Sequence, residues 1–189
     1  MNTATHILTA SAVLARRNQP YRNTAILIGS FLPDLSIFAL FAWPKMNGSS
    51  QSTIWRELYW QEPWQTFGAI SNSFPIWLLV LSVGLMSRSK VMIVVAAAAI
   101  IHLALDFPVH ADDAHKHFWP LTDWRFHSPL SYWDTNHHSR YVMAAEFVLC
   151  LAALVALWLR FSGWLVRSGL VAAMLSLIAV PVFFWATLG

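Results

Sequence analysis

The chain has 189 residues, of which 57% are hydrophobic and only 11% are charged, with a formal net charge of +3 and a mean hydropathy of +0.52. Soluble domains carry about 25% charged residues, so this composition excludes an ordinary soluble protein and indicates a single membrane domain over residues 1–189. The positive balance does not indicate nucleic-acid binding, because the bases lie in short connections between apolar segments, where they report membrane topology.

The apolar residues occur in long runs that predict an all-α, polytopic integral membrane bundle with about five spans plus a short N-terminal helix. A helix needs about 20 apolar residues to cross ~30 Å of hydrocarbon. The N-terminal helix is predicted over residues 4–16, too short to span comfortably, and its positive charges follow the apolar stretch, unlike those of a signal peptide. The spans are predicted at about 23–43, 67–87, 90–108, 140–161 and 164–188.

The connections between these segments predict an orientation. The short ones carry bases and no acid: Arg16, Arg17, Arg22, Arg88, Lys90, Arg160 and Arg167. Under the positive-inside rule they face the cytoplasm of a bacterial inner membrane, and the long loops 44–66 and 108–140 face outward. Within the first loop, residues 53–60 (TIWRELYW) place apolar residues at helical spacing, which predicts a short interfacial helix.

Tryptophan is concentrated on the predicted outward side, as expected of an aromatic belt. The residues concerned are Trp43, Trp55, Trp60, Trp64, Trp119, Trp124 and Trp133. An alternative interpretation for Trp119, Trp124 and Trp133 is that they line a cleft for an amphiphilic ligand.

Ionisable residues interrupt the apolar segments at similar depths. They are His6, Asp34, His102, Asp106 and Glu146. Counted from the basic connections at 1.5 Å per helical residue, all lie roughly 15–24 Å into the membrane. Such groups are costly in a bilayer and usually face a bundle interior or a water-filled cavity. Their common depth predicts that several helices bring them to one site.

Two parts of this set indicate metal binding. His102 and Asp106 are four residues apart and share a helix face, although a structural hydrogen bond is the alternative for such a pair. Nitrogen and oxygen ligands without thiolates suit Zn²⁺ or another divalent ion, and the single cysteine, Cys150, lies in an apolar run. We predict that His6, Asp34, His102, Asp106 and His115 ligate a divalent ion, and the expected ion is zinc. His110 and His117 are predicted as general acid/base residues or additional ligands.

Three stretches carry a family resemblance: THILTASAVLA (5–15), GSFLPDLS (29–36) and HLALDFPVHADDAHKHFWPLTDWRFHSP (102–129). Together they resemble the bacterial membrane-bound metal-dependent hydrolases of the DUF457 type, which are distantly similar to zinc-dependent phospholipase C and the S1 nucleases. The resemblance matches the family's ligands to His6, Asp34, His102 and Asp106, and its turn to Trp119-Pro120.

One family element is missing. The family carries His-Arg-Gly-x-Thr-His between the Asp and the His-x3-Asp motif, whereas residues 35–101 here contain no histidine. If those ligands are replaced, the candidates are His110, His115 and His117, or oxygen and amide groups from Gln65 and Asn72.

Three functions remain open. The resemblance and the polar residues predict a metal-dependent hydrolase acting on a phosphoester or other lipid-like substrate at the outer face. The missing element favours a non-catalytic membrane subunit or assembly factor with a membrane-protein partner. A metal or proton transporter would use the same buried acids as a relay. No phosphate-binding loop, dinucleotide fingerprint or nucleophile elbow is present.

Overall fold

The computed structural model describes the backbone of residues 1–188 and the side chains of residues 1–176 and 179. The regular secondary structure of this part of the chain is entirely helical, which confirms the all-α prediction. The α-helices are α1 (Thr3–Leu14), α2 (Pro20–Phe31), α3 (Leu35–Met46), α4 (Gln51–Arg56), α5 (Glu62–Ser71), α6 (Phe74–Met86), α7 (Lys90–Asp106), α8 (Ser139–Arg160) and α9 (Trp164–Leu188).

Three helical segments are long and apolar enough to cross a membrane: Pro20–Met46, Lys90–Val109 and Ser139–Arg160. The first joins α2 to α3 through a 3₁₀ turn at Leu32–Asp34, and the second extends α7 by the 3₁₀ turn Phe107–Val109. These segments mark the chain as a membrane protein and match the predicted spans 23–43, 90–108 and 140–161.

The predicted span 67–87 is not one straight helix. α5 and α6 are bent by 42° at Asn72 and Ser73, and they form one span only if the bent pair is counted together. Pro75 lies in the first turn of α6, where its missing backbone N–H costs no intrahelical hydrogen bond, so it favours a helix start at this point. Ser73 has extended backbone angles, and its Oγ accepts a hydrogen bond from the Ile76 N–H, so a new helix starts there.

The number of spans is therefore three or four among the described residues, and the prediction of about five is not confirmed. The difference rests on the bent pair α5–α6 and on the predicted span 164–188. α9 covers these residues, but its described apolar part, Trp164–Ser176, is too short to cross a membrane. The remainder of that predicted span lies outside the described side chains, apart from Ala179.

The long loops match their predictions in outline. Between Val109 and Ser139 the only helical element described is the 3₁₀ turn Thr135–His137. The predicted interfacial helix at 53–60 is replaced by α4 and a separate 3₁₀ turn at Leu58–Trp60. α4 begins earlier because Ser50 caps it by accepting a hydrogen bond from the Thr53 N–H.

The close packing of α2 on α7 sets the position of the polar residues on both. A Cβ built on Gly29 would lie 2.3 Å from the Val95 carbonyl oxygen, so only glycine allows this approach. Small residues that bring backbones together are typical of membrane helix pairs. Around this crossing, Ala25 and Ile26 of α2 pack with Val94 and Ala98 of α7.

Candidate metal centre

The structure brings together His6 of α1 with His102 and Asp106 of α7. One ligand atom from each lies within 4.8 Å of the others, and all three side chains are buried. The Nε2 atoms of His6 and His102 are each 3.1 Å from a different oxygen of the Asp106 carboxylate. Two imidazoles and a carboxylate in this arrangement can hold a metal ion.

The orientation of His102 is fixed by backbone. Its Nδ1 lies 2.7 Å from the Ser30 carbonyl oxygen, which can only accept a hydrogen bond, so Nδ1 carries a proton. In the neutral ring the Nε2 lone pair then faces the carboxylates of Asp106 at 3.1 Å and Asp34 at 3.5 Å. The Nε2 lone pair and the two carboxylates are all acceptors that face one another, so either a proton or a cation must lie between them. A carbonyl on the far nitrogen is the usual support of a metal-ligating histidine.

His6 has no hydrogen bond that would explain its burial. Its ring is stacked on that of His102, with centroids 3.5 Å apart and an angle of 13° between the planes. Nδ1 of His6 has no hydrogen-bond partner among the described residues, and its Nε2 is close only to Asp106, at 3.1 Å but without hydrogen-bond geometry, although the side chain is fully buried. A buried nitrogen left unpaired costs about 1–3 kcal/mol. Coordination of a cation would satisfy Nε2, so the residues present fit a metal.

Asp34 lies at the edge of this group, in the 3₁₀ turn between α2 and α3. Besides its contact with His102, it accepts a hydrogen bond of 2.5 Å from Thr3 Oγ1. The amino group of Met1 donates to Asp106 at 2.5 Å. The first residues of the chain thus contact both carboxylates and hold α1 against the centre.

The loop histidines approach the same centre from outside the spans. His110 Nε2 is 3.7 Å from Asp106, while its Nδ1 is 2.9 Å from Asp113 Oδ2. His117 Nδ1 is 2.9 Å from the Asn72 carbonyl oxygen. The Nε2 atoms of both rings are buried and have no hydrogen-bond partner in the described part of the chain. His115 lies between them, with ring centroids 5.0 Å from His110 and 5.7 Å from His117.

These three histidines have different protonation tendencies. Burial would lower the pKa of His110, but the carboxylates of Asp106 and Asp113 outweigh it and raise the pKa to about 9. Burial, together with the positive charge of His110, lowers the pKa of His115 to about 3. Burial also lowers the pKa of His117 to about 4, despite its hydrogen bond to Asn72. At neutral pH His115 and His117 are therefore uncharged, as metal ligands and general bases must be.

Glu146, which the sequence groups with the other polar residues by its depth, contacts the N-terminal end of α1 instead of the metal-binding group. Its Oε1 accepts hydrogen bonds from the Asn2 N–H at 2.7 Å, Asn2 Nδ2 at 3.1 Å and Thr5 Oγ1 at 2.5 Å. A carboxylate at a helix N-terminus satisfies its free N–H groups and its dipole. Cys150, one turn further along α8, donates to Thr5 at 3.1 Å. Glu146 thus fastens the helix that carries His6.

Other sequence predictions have different outcomes. Gln65 contacts Arg125 and the Tyr59 carbonyl, away from the metal-binding group. Asn72 was predicted as a possible source of an oxygen or amide contact. In the structure its backbone carbonyl oxygen contacts His117 Nδ1. The roles of the Ser30 and Asn72 carbonyls had no sequence signal, because every residue has a carbonyl. The Trp119-Pro120 bond is cis.

A second group of ligand atoms lies in the loop between α7 and α8. Asp112, Asp134 and His137 place one ligand atom each within 4.8 Å of the others. Asp112 is exposed, and Asp134 already binds His137 Nδ1 and the Asn136 N–H. Because solvent and local hydrogen bonds satisfy this group, we do not assign it to a metal.

Comparison of the chain with protein-family models, curated proteins and solved structures gives no match.

Proposed function

We propose that the chain is a metal-dependent hydrolase embedded in the bacterial inner membrane, acting on a phosphoester of an amphiphilic substrate near the outer face. The observation that carries the proposal is the orientation of His102, whose Nδ1 is committed to Ser30 and whose Nε2 faces Asp106 and Asp34. The unpaired nitrogens of His6 beside them support the same assignment.

The proposed ligands are His6, His102 and Asp106. Asp34, whose Oδ1 is 3.5 Å from His102 Nε2, could join them after a rotation of its side chain. A zinc-type ion held there would polarise a phosphoryl oxygen and activate a water molecule. Asp106 is suited to hold cationic charge because three nitrogen atoms already lie within 3.1 Å of its oxygens. The resemblance to membrane metal-dependent hydrolases favours zinc and a phosphoester.

The loop histidines supply proton transfer in this proposal. His117 binds Asn72 through Nδ1, so its free Nε2 can accept a proton from the attacking water. As water adds to phosphorus, the bond from phosphorus to the leaving alcohol breaks, and the alcohol oxygen takes a proton. His110, whose Nε2 is also unpaired, is the proposed donor of that proton. His115 is proposed as an additional ligand or as the spacer that sets these two rings apart.

We infer the outer side for this chemistry from the positions of the basic residues alone. The short basic connections support cytoplasmic placement of the ends of α1 and α8, with the loop 108–140 outward. The histidines of that loop then close over the metal-binding group from the outer aqueous face. An amphiphile resting in the bilayer would present its head group at this depth.

The test is hydrolysis by the purified, zinc-loaded protein of a panel containing phosphatidic acid, phosphatidylcholine and a polyprenyl phosphate. We expect release of phosphate or a phosphorylated head group from at least one lipid, and none by Asp106→Asn. A wild-type protein that binds zinc but cleaves no member of a broad lipid panel would contradict the hydrolase assignment. That result would favour a non-catalytic subunit with a structural metal.

A further inference from the structure

An apolar groove of about 510 Å³ lies between α3 and α5, which both belong to helical segments apolar enough to take part in membrane spans. Its lining consists of Ala39, Ala42, Trp43, Met46, Trp64 and Phe67. Ligand pockets for small molecules commonly have 300–1,000 Å³ and a mainly apolar lining. The tryptophans at this groove are Trp43 and Trp64, whereas the sequence alternative had placed Trp119, Trp124 and Trp133 at such a cleft.

Beyond Trp64, which lines both spaces, the groove is followed by a small polar cavity. Its lining includes Tyr59, Gln65, His115, Lys116 and Arg125, and no aspartate or glutamate. Two cations therefore face this cavity without an acid among its lining residues. The cavity is linked to the metal-binding group through His115, whose ring is 5.0 Å from that of His110, and His110 Nε2 is 3.7 Å from Asp106.

Arg125 is held in position by uncharged groups. Its guanidinium donates to the Ala114 carbonyl at 2.6 Å and to Gln65 Oε1 at 2.7 Å. Gln65 is fixed in turn, because its Nε2 donates to the Tyr59 carbonyl at 2.6 Å. Among the described residues no carboxylate lies within 4.0 Å of Arg125. A half-buried guanidinium with neutral partners and further free donors is prepared for an anion.

Lys116 can join Arg125 when the cavity opens. The cavity now has about 10 Å³, the space of one water molecule. Lys116 Nζ is 2.8 Å from Asp123, whose side chain is 74% exposed. An ion pair with a solvated partner contributes little to stability. Lys116 can therefore leave Asp123 and turn toward a bound anion, and this movement would widen the cavity.

We propose that the groove and the polar cavity together bind an anionic glycerophospholipid, with a hydrocarbon chain against Ala42 and Phe67 and the phosphate on Arg125 and Lys116. The groove opens to the bilayer, where glycerophospholipid is the abundant amphiphile, and the positive end of the site complements its phosphate. His115 lines the cavity and packs on His110, so the phosphate lies on the route to the metal-binding group. The lipid's role as substrate rests on the proposed function, whereas its binding does not.

The experiment measures binding of dioctanoyl phosphatidic acid to chelator-treated protein in detergent micelles by titration calorimetry, with dioctanoylglycerol as the ligand lacking phosphate. We expect the wild type to prefer phosphatidic acid and Arg125→Gln to bind it at least about tenfold more weakly. Arg125→Lys should regain most of the affinity, and the exposed Arg140→Gln should bind as the wild type does. Ala42→Trp, which fills the groove, should weaken binding of both lipids.

Equal binding of phosphatidic acid by the wild type and Arg125→Gln would overturn the proposal, as would equal wild-type affinity for the two lipids. If inorganic phosphate bound as tightly as phosphatidic acid, the groove would contribute nothing to lipid binding, and the proposal would be overturned. Tighter binding of farnesyl phosphate would overturn the choice of a glycerophospholipid. Because the protein is free of metal, these results are independent of whether it is a hydrolase.

Discussion

At the scale of single residues, the candidate site is defined by which ring nitrogen of each histidine is already engaged. His102, His110 and His117 each commit Nδ1 to an oxygen atom and keep Nε2 for the interior of the site. The His102–Asp106 spacing allowed the sequence to predict their shared face. The sequence could not predict which ring nitrogen is engaged in a hydrogen bond. That depends on the positions of the Ser30 and Asn72 carbonyls, which tertiary packing determines.

The role of His117 can be separated from metal binding. If its Nε2 transfers a proton, His117→Ala should lower the turnover of a cleaved lipid by about 10²–10⁴-fold, while the metal content stays at the wild-type level. His127→Ala is the control, because this exposed ring has its Nδ1 near the Ala111 carbonyl and is outside the site. Undiminished turnover in His117→Ala would show that this histidine is not part of the proton transfer.

At the scale of helices, two contacts position the ligands without touching them. The α2–α7 crossing at Gly29 brings the adjacent Ser30 carbonyl onto His102. The Glu146 carboxylate of α8 holds the first turn of α1, which carries His6. The sequence grouped Glu146 by depth with the polar site residues, whereas its side chain contacts α1. Depth along a helix did not reveal which neighbouring helix its side chain faces.

Gly29→Ala should destabilise the protein and weaken its metal binding. Its Cβ would lie 2.3 Å from the Val95 carbonyl oxygen, and such overpacking typically costs about 1–3 kcal/mol. Gly169→Ala is the matched helical control, because nothing lies within 4 Å of its Cβ position. Thermal unfolding and a metal titration of both variants measure the effect. An unfolding temperature for Gly29→Ala as high as that of Gly169→Ala would refute the close crossing.

Glu146 variants distinguish a helix anchor from a metal ligand. Glu146→Ala leaves the Asn2 N–H and the Thr5 hydroxyl without their acceptor, so we expect metal affinity to fall by about tenfold through misplacement of His6. Glu146→Gln keeps an oxygen acceptor and should retain most of the affinity. Metal titrations of the two variants check this. Equal losses in both would indicate that the carboxylate charge acts on the metal itself.

At the scale of the whole molecule, the composition and apolar runs predicted the membrane character, the all-α architecture and a long loop between α7 and α8. The convergence of His6, Asp34, His102 and Asp106 also followed from their equal depth. The break between α5 and α6 was not predicted, although Phe74-Pro75 after Ser73 carried a local signal for it. This break brings Asn72 to His117, and α5 forms one wall of the groove opposite α3.

The central claim is that the buried group of His6, His102 and Asp106 binds a divalent ion. The most direct measurement is the metal content of the purified protein, by plasma mass spectrometry, after incubation with zinc and removal of free ions. The account predicts at least one ion per chain in the wild type and in His127→Ala, and loss of that ion in folded His102→Ala and Asp106→Asn. A wild type that retains no divalent metal, or variants that retain as much as the wild type, would contradict it.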